Sequence, residues 1–175
     1  SIPQFYVTVD EIENSIGSKI HRTTADPFNE FKHELMGEAR DMYVEAVLGR
    51  IRRNARDKKR HSCIITHVTD QQLQTESTAD GNTVYYYPMA TPRQIAYGQA
   101  WYRKGDAMIC LWRPPVGATD KNNGHNRFYM QNEVIVAIQK AKPKGIGAVG
   151  LAHLFFDAER NRYYEYDNII NPNRK

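Results

Sequence analysis

Two polar residues follow two stretches that we expect to be strands. Asp26 comes after HRTTA and directly before Pro27, and His67 closes the apolar run CIITH. In an open α/β sheet, ligands bind in the crevice beyond the carboxyl ends of the strands. One aspartate there can hold Mg²⁺, because this ion takes one or two carboxylates and completes its shell with water and phosphate. The alternatives are a turn aspartate before proline and a histidine buried in the core.

Two lysines, Lys140 and Lys142, stand two positions apart in NEVIVAIQKAK, a run that predicts a strand. Residues two apart in a strand point to the same face, so the two ammonium groups would lie side by side. Like charges on one face are unfavourable unless that face meets solvent or an anion. The pair therefore indicates either an anion site or a solvated edge strand that carries protective lysines.

Positive charge and aromatic rings occur together around the long polar stretch 69–92. Sites for single-stranded nucleic acid combine basic groups with rings on which bases stack. The run of three tyrosines at 85–87 could stack on bases, or could pack its rings on the core. Four residues beyond this stretch are candidates for nucleic-acid binding: Arg93, Tyr97, Arg103 and Lys104.

The run DPFNEFKHE places four potential metal ligands close together in sequence: Asp26, Glu30, His33 and Glu34. They make a metal-dependent DNA-processing hydrolase an alternative, although charged residues are also common at the start of a helix. The six histidines of the chain otherwise show no ligand spacing. Cys63 and Cys110 stand in apolar runs and are expected to be reduced core residues, so we expect no structural zinc site.

The candidate residues would be positioned by helices that alternate with apolar strands. We predict a strand at FYVTV, a helix from Asp10, a long helix at about 37–57 and strands at 62–68 and 107–113. A hairpin is expected near Asp80–Gly81, and a closing antiparallel pair across the turn AERN. Such alternation predicts an α/β fold with a mainly parallel sheet and an antiparallel C-terminal edge. We predict a single domain over residues 1–175.

Composition is that of a globular protein, with 41% hydrophobic and 25% charged residues. No apolar run approaches the roughly 18–20 residues that span a bilayer, so we expect no membrane association and a cytoplasmic location, in a bacterial or phage-infected cell. The formal net charge is +4. A modest basic excess is compatible with nucleic acid or phosphate as a partner.

Three segments, in this order, resemble the C-terminal part of the RecA-like ATPase core of DnaB-like and Twinkle-like hexameric replicative helicases, of the phage primase-helicase type. DPFNEF resembles the Walker B turn, and IITHVTDQQ resembles the strand that ends in a nucleotide-sensing polar residue. GDAMICLWR and residues 134–168 resemble the closing strands, in which a pair of basic residues precedes a glycine turn and an edge hairpin.

The resemblance implies a P-loop ATPase that uses ATP and Mg²⁺, assembles into a ring and moves along single-stranded DNA. Asp26 would then bind Mg²⁺, and His67 would contact the terminal phosphate. Lys140 and Lys142 would reach the nucleotide of the neighbouring subunit, as an arginine finger does. Arg93, Tyr97, Arg103 and Lys104 would belong to the loops of the central channel.

This sequence departs from the family in one essential part, because no G-x-x-x-x-G-K-[ST] phosphate loop occurs in it. The acidic residue that activates water in the family is also missing. We therefore expect a fragment of a longer protein that does not bind ATP tightly by itself; a natural remnant is the alternative. A second hypothesis is a non-catalytic nucleic-acid-binding or assembly module on the same fold.

Overall fold

The computed structural model describes residues 1–31, 40–69, 71–78, 80–120, 128–143, 145 and 147–165. Its helices are α1 (Ile2–Ile16), α2 (Arg40–Asp57) and α3 (Gly98–Lys104), with 3-10 turns at Phe28–Glu30 and Pro92–Gln94. Its strands are β1 (Arg22–Ala25), β2 (His61–Ile64), β3 (Gln74–Ser77), β4 (Thr83–Tyr86), β5 (Ala107–Trp112), β6 (Glu133–Ala141), β7 (Gly150–Asp157) and β8 (Arg162–Glu165). The chain forms two compact units, Ser1–Thr69 with Pro92–Gly105, and Asp70–Thr91 with Asp106–Lys175.

The first unit begins with a helix where the sequence predicted a strand. Ile2, Tyr6 and Val9 are buried in α1, at spacings of four and three residues that place them on one face of a helix. Val7, between them, is 49% exposed. The prediction of a strand at FYVTV was therefore wrong, because packing of this face overrides the β-propensity of its residues. Gly17 ends the helix in the left-handed region, at φ 62°.

Packing in the first unit centres on α2, which confirms the predicted long helix and its end at Asp57. Its buried residues follow the helical spacing of three and four: Val44, Val47, Leu48 and Ile51. Beyond this helix, the guanidinium of Arg60 is fully buried and donates hydrogen bonds to Asp10, Glu13 and the Ile20 carbonyl. This residue therefore ties α1 to the end of the α2 segment.

The parallel pairing of the first unit joins β1 to β2, with Ala25 opposite Ile64. Although β1 is polar, its inward residues Thr23 and Ala25 are buried. Thr23 Oγ1 donates to Ser62 Oγ at 3.4 Å, and Tyr6 Oη donates to the same oxygen at 3.0 Å. The buried hydroxyl of β1 is thus hydrogen-bonded, which lets a polar strand occupy an interior position.

The second unit contains two antiparallel sheets. One is the predicted hairpin of β3 and β4, and the other has the strand order β5-β6-β7-β8. Ala118, Tyr129 and Ile135 form the centre of its core, with partly buried apolar residues packed around them: Val84, Met89 and Trp112. The predicted strands 107–113 and NEVIVAIQKAK, and the closing pair across AERN, are confirmed.

The mixture of helices and sheets confirms the α/β prediction, but the expectation of a mainly parallel sheet is wrong for the described residues. Their parallel pairing is limited to β1 and β2, whereas β5 to β8 are joined antiparallel. The sequence misled because β6 is apolar on both faces, which is typical of parallel strands. Burial of Val134, Ile135 and Ala137 instead occurs within an antiparallel sheet.

Candidate functional site

Asp26 and His67 lie beyond the same edge of the parallel strand pair. Asp26 follows the last residue of β1, and His67 stands three residues after β2. Backbone hydrogen bonds continue past both strands, from Ile65 N to Ala25 O at 2.9 Å and from Phe28 N to Ile65 O at 2.7 Å. Both candidate side chains are exposed. A carboxylate and an imidazole are therefore accessible where an open α/β sheet binds its ligands.

Two residues that the sequence analysis missed complete this edge. Thr66, directly before His67, donates from Oγ1 to Asn29 Oδ1 at 2.8 Å. This bond joins the loop after β2 to the 3-10 turn after β1. The only sequence signal was their position, since each is near a strand end that already carried a candidate. Together the edge offers hydroxyl, amide and carboxylate oxygens, which are the ligands that Mg²⁺ and its water shell prefer.

The alternative metal cluster falls mostly outside the described residues. Asp26 and Glu30 are both exposed on either side of the 3-10 turn. His33 and Glu34 lie in the segment 32–39, outside the described part of the chain. The hypothesis of a hydrolase built on these four residues stays a prediction.

Lys140 and Lys142 belong to the second unit and occupy different environments. Lys140, near the end of β6, is 6% exposed and has interactions within the chain. Lys142 lies beyond the strand and is exposed, with its backbone N–H donating to Asp106 O at 2.9 Å. The expectation that both ammonium groups meet solvent is wrong for Lys140. One physical reason is a register shift opposite Gln139, which interrupts the alternation of the strand.

The four candidates for nucleic-acid binding all fall in the Pro92–Gly105 segment of the first unit. Arg93 is exposed on the 3-10 turn, and Tyr97, 37% exposed, precedes α3 with φ 62°. Arg103 and Lys104 end α3, and both pair with Glu45 of α2, at 2.9 and 3.2 Å. Arg93 and Tyr97 thus present charge and a ring to solvent, while the other two cations share a carboxylate.

The three tyrosines of β4 and its end divide between the two interpretations. Tyr86 packs against Trp112, with ring centroids 6.5 Å apart, and its hydroxyl lies 3.4 Å from carbonyl and carboxylate oxygens of Gln74 and Glu76. Tyr85 and Tyr87 are 69% and 56% exposed. Alternation along the strand explains this, since neighbouring residues point to opposite faces. Packing on the core holds for the middle ring, and two rings remain accessible.

Comparison with solved structures places this fold beside helicase ATPase domains. The structure is similar to a solved ATPase domain of a DnaB-like helicase, with a TM-score of 0.61 and 14% sequence identity, over 94% of this chain and 51% of that one. It is equally similar to a chain of "The Structure Of A DnaB-Like Replicative Helicase And Its Interactions With Primase", again with a TM-score of 0.61 and 14% identity, over 93% of this chain and 34% of that one. The resemblance to DnaB-like helicases is therefore confirmed at the level of the fold.

This chain spans about half of the first of those chains and about a third of the second. No protein-family model matches the sequence, and no curated protein matches it. Among the described residues, no helix combines the length and apolar character that crossing a bilayer requires.

Proposed function

We propose that this chain is part of an ATP-dependent, ring-forming DNA helicase, in which nucleotide hydrolysis at subunit interfaces drives movement along single-stranded DNA. The main support is the shared edge of β1 and β2, where Asp26, Asn29, Thr66 and His67 lie beyond parallel strands. The fold around them is similar to DnaB-like ATPase domains. Position and chemistry thus agree with a nucleotide site at this edge.

At this edge, Asp26 would hold the Mg²⁺ that accompanies ATP. A single carboxylate fits the ion, since water and phosphate oxygens supply its remaining ligands. When bound, Mg²⁺ neutralises charge on the phosphates during phosphoryl transfer. His67 would donate a hydrogen bond to the terminal phosphate. The Thr66–Asn29 hydrogen bond would keep the two loops at a fixed spacing.

Lys142 is the better placed of the two lysines to reach a neighbouring subunit's nucleotide, because it is exposed just beyond β6. An ammonium offers one point charge to a phosphate, where arginine would offer a two-pronged contact. Lys140 is buried and would act indirectly, by fixing the end of the strand that carries Lys142. The proposal therefore assigns the contact across the interface to Lys142.

Single-stranded DNA would contact Arg93 and Tyr97 through phosphate attraction and base stacking. Arg103 and Lys104 would join them by exchanging their shared partner Glu45 for a phosphate. All four residues lie in one short segment, so a change in its position would act on all DNA contacts together.

The chain alone should not bind ATP tightly, because it contains no phosphate loop. Titration calorimetry with ATP and Mg²⁺ tests this directly, and sub-micromolar binding by the isolated chain would contradict it. The corresponding experiment on the complete gene product measures ATP hydrolysis stimulated by single-stranded DNA. Asp26→Asn should abolish hydrolysis, while Glu159→Gln, at an exposed carboxylate in the second unit, should leave it unchanged.

Mixing experiments test the contact across the interface. Complete protein carrying Lys142→Ala should lose hydrolysis, and so should protein carrying Asp26→Asn. A mixture of the two variants should recover part of the activity, because some interfaces then combine an intact Asp26 with an intact Lys142. If the mixture stays inactive while the variants still assemble, Lys142 does not act between subunits.

A second candidate function is a non-catalytic nucleic-acid-binding module, which the absence of a phosphate loop from this sequence favours. This candidate predicts DNA binding that depends on salt and does not respond to nucleotide, in the complete protein as well as in the chain. The DNA sequence upstream of the codon for Ser1 separates the two candidates, since a helicase requires a phosphate loop there.

A further inference from the structure

Three potential metal ligands from separate segments of the second unit meet inside it. They are Asp120, Glu133 and His153, and one ligand atom of each lies within 4.8 Å of those of the other two. Around an ion with ligand bonds of about 2.0–2.2 Å, neighbouring ligand atoms are roughly 3–3.5 Å apart. Small side-chain rotations would therefore bring all three onto one ion.

The sheet register creates this meeting. His153 of β7 stands opposite Ile135 of β6, and Glu133 is two residues before Ile135 on the same face. Glu133 and His153 are thus diagonal neighbours across an antiparallel pair. Asp120 comes from the preceding loop, which is held by the Thr119–Phe128 bridge. The site is a product of strand pairing, since its ligands come from a loop and two different strands.

Burial makes a cation favourable at this cluster. Asp120 is 2% and Glu133 is 3% exposed, and the side chain of His153 is 8% exposed. Two carboxylates so close together in a buried place disfavour each other's charge. A positive charge between them offsets both this repulsion and the loss of hydration. An imidazole completes a donor set of one nitrogen and two carboxylate groups.

Outer hydrogen bonds hold the carboxylates in place. Tyr129 Oη donates to Asp120 Oδ1 at 3.1 Å, and Met130 N donates to Glu133 Oε2 at 3.1 Å. The other oxygen of Glu133, Oε1, lies 2.8 Å from His153 Nδ1. Protein metal sites have such second partners, which fix the direction of each ligand.

We propose that Asp120, Glu133 and His153 bind a divalent transition-metal ion that joins the 112–133 connection to the β6–β7 pair. Zn²⁺ fits the donor set well, because imidazole and carboxylate are both common zinc ligands. Mg²⁺ fits poorly, since it prefers oxygen ligands and retains much of its water. The proposal does not depend on the helicase assignment, because these residues lie in a different unit from Asp26.

The test uses the 175-residue chain, stripped of metal with EDTA and then titrated with ZnCl₂ in a calorimeter. We expect one tight site per chain and a rise in Tm with Zn²⁺, with no comparable response to MgCl₂. His153→Ala and Asp120→Asn should each weaken Zn²⁺ binding by about 10- to 100-fold. Asp157→Asn, at the end of the same strand as His153, is the matched control and should bind normally.

X-ray absorption at the zinc edge of the wild-type chain covers the case in which a variant fails to fold. We expect nitrogen and oxygen ligands at about 2.0–2.2 Å with an imidazole contribution, and no sulfur at about 2.3 Å. Sulfur ligands would assign the ion to Cys63 or Cys110 and overturn the proposal. Absence of tight binding by wild-type protein, or equal affinity in folded His153→Ala and wild type, would overturn it as well.

Discussion

Buried charge is concentrated at a few residues, and each must be compensated inside its own unit. Arg60 has a side chain with no exposed surface, and it meets two acidic side chains of α1 and a backbone carbonyl. Arg56 and Asp57, close by in sequence, form a pair with side chains 75% and 63% exposed. Exposed pairs contribute little to stability, whereas breaking a buried pair leaves a charge without compensation.

Replacing Arg60 should therefore destabilise the fold far more than replacing Arg56. We expect Arg60→Met to lower the free energy of unfolding by about 3 kcal/mol, because Asp10 and Glu13 then lose their main partner. Arg56→Met should change it by less than about 1 kcal/mol. Urea denaturation of both variants and wild type measures the difference. Equal effects would mean that the Arg60 cluster contributes no more than a surface pair.

The same cluster makes stability depend on pH. Burial, the largest influence on Asp10, raises its pKa, but hydrogen bonds from Arg60 and Lys58 and the charges of both outweigh it and leave the pKa below its usual value. A carboxyl with a lowered pKa stabilises the folded state above its unfolded pKa of about 3.9. That contribution is lost as the pH falls through the folded pKa.

Acid should thus weaken wild-type protein more than an Asp10→Asn variant. The difference in unfolding free energy between them should be constant near neutral pH and shrink below about pH 4. Urea midpoints measured from about pH 6 down to about pH 2.5 test this, since the range spans the unfolded pKa. A difference that stays constant to the lowest pH would show that Asp10 does not contribute through its ionisation.

At the level of elements, the entry into α3 depends on close backbone contact. A Cβ added to Gly98 would clash with the Pro92 carbonyl oxygen and would lie 2.8 Å from the Arg93 Cα. No side chain fits there, so Gly98 allows the 3-10 turn and α3 to approach each other. This approach also fixes the positions of Arg93 and Tyr97.

Gly98→Ala should cost about 1–3 kcal/mol of stability, since neighbouring backbone must move to admit the methyl group. Gly49→Ala is the matched control inside α2, where the nearest atom to the new Cβ is the end of Arg53, 3.8 Å away. It should stabilise the protein by roughly 0.5–1 kcal/mol, because alanine is the better helix former. Thermal unfolding of the two variants measures opposite signs. A Gly98→Ala variant as stable as wild type would contradict the tight contact.

Sequence patterns predicted the elements whose own periodicity is strong. The apolar positions of α2, the Asp80–Gly81 turn and the AERN turn each gave a correct helix or hairpin. The pattern failed at FYVTV, where β-propensity and a helical face compete and packing decides. Strand partners were also beyond it, because nothing in β6 states whether its neighbours run parallel or antiparallel.

The candidate residues show the same limit. Asp26 and His67 could be chosen from the sequence because each ends a predicted strand, and parallel pairing brings their loops to one edge. The burial of Lys140 could not, because it depends on a register shift opposite Gln139. Glu133 and His153 could not be paired either, since their approach follows from a register that only the folded sheet defines.

For the whole molecule, the net charge of +4 predicts DNA binding that weakens with salt. The logarithm of the binding constant for single-stranded DNA should fall with the logarithm of salt concentration, with a slope of about −0.7 for each phosphate contacted. Fluorescence anisotropy with a labelled oligonucleotide measures this slope. Arg93→Ala should make it shallower by roughly 0.7, because one phosphate contact is lost. Arg162→Ala, an exposed arginine of β8, should leave the slope unchanged.

The path of the chain has a consequence for its modular use. The polypeptide leaves the first unit after Thr69, returns at Pro92 and leaves again after Gly105. Neither unit is a continuous stretch of sequence, so no single cut or recombination point can separate them. A fusion or exchange made at one position would carry away an incomplete half of each. The two units must therefore be inherited, and engineered, as one piece of gene.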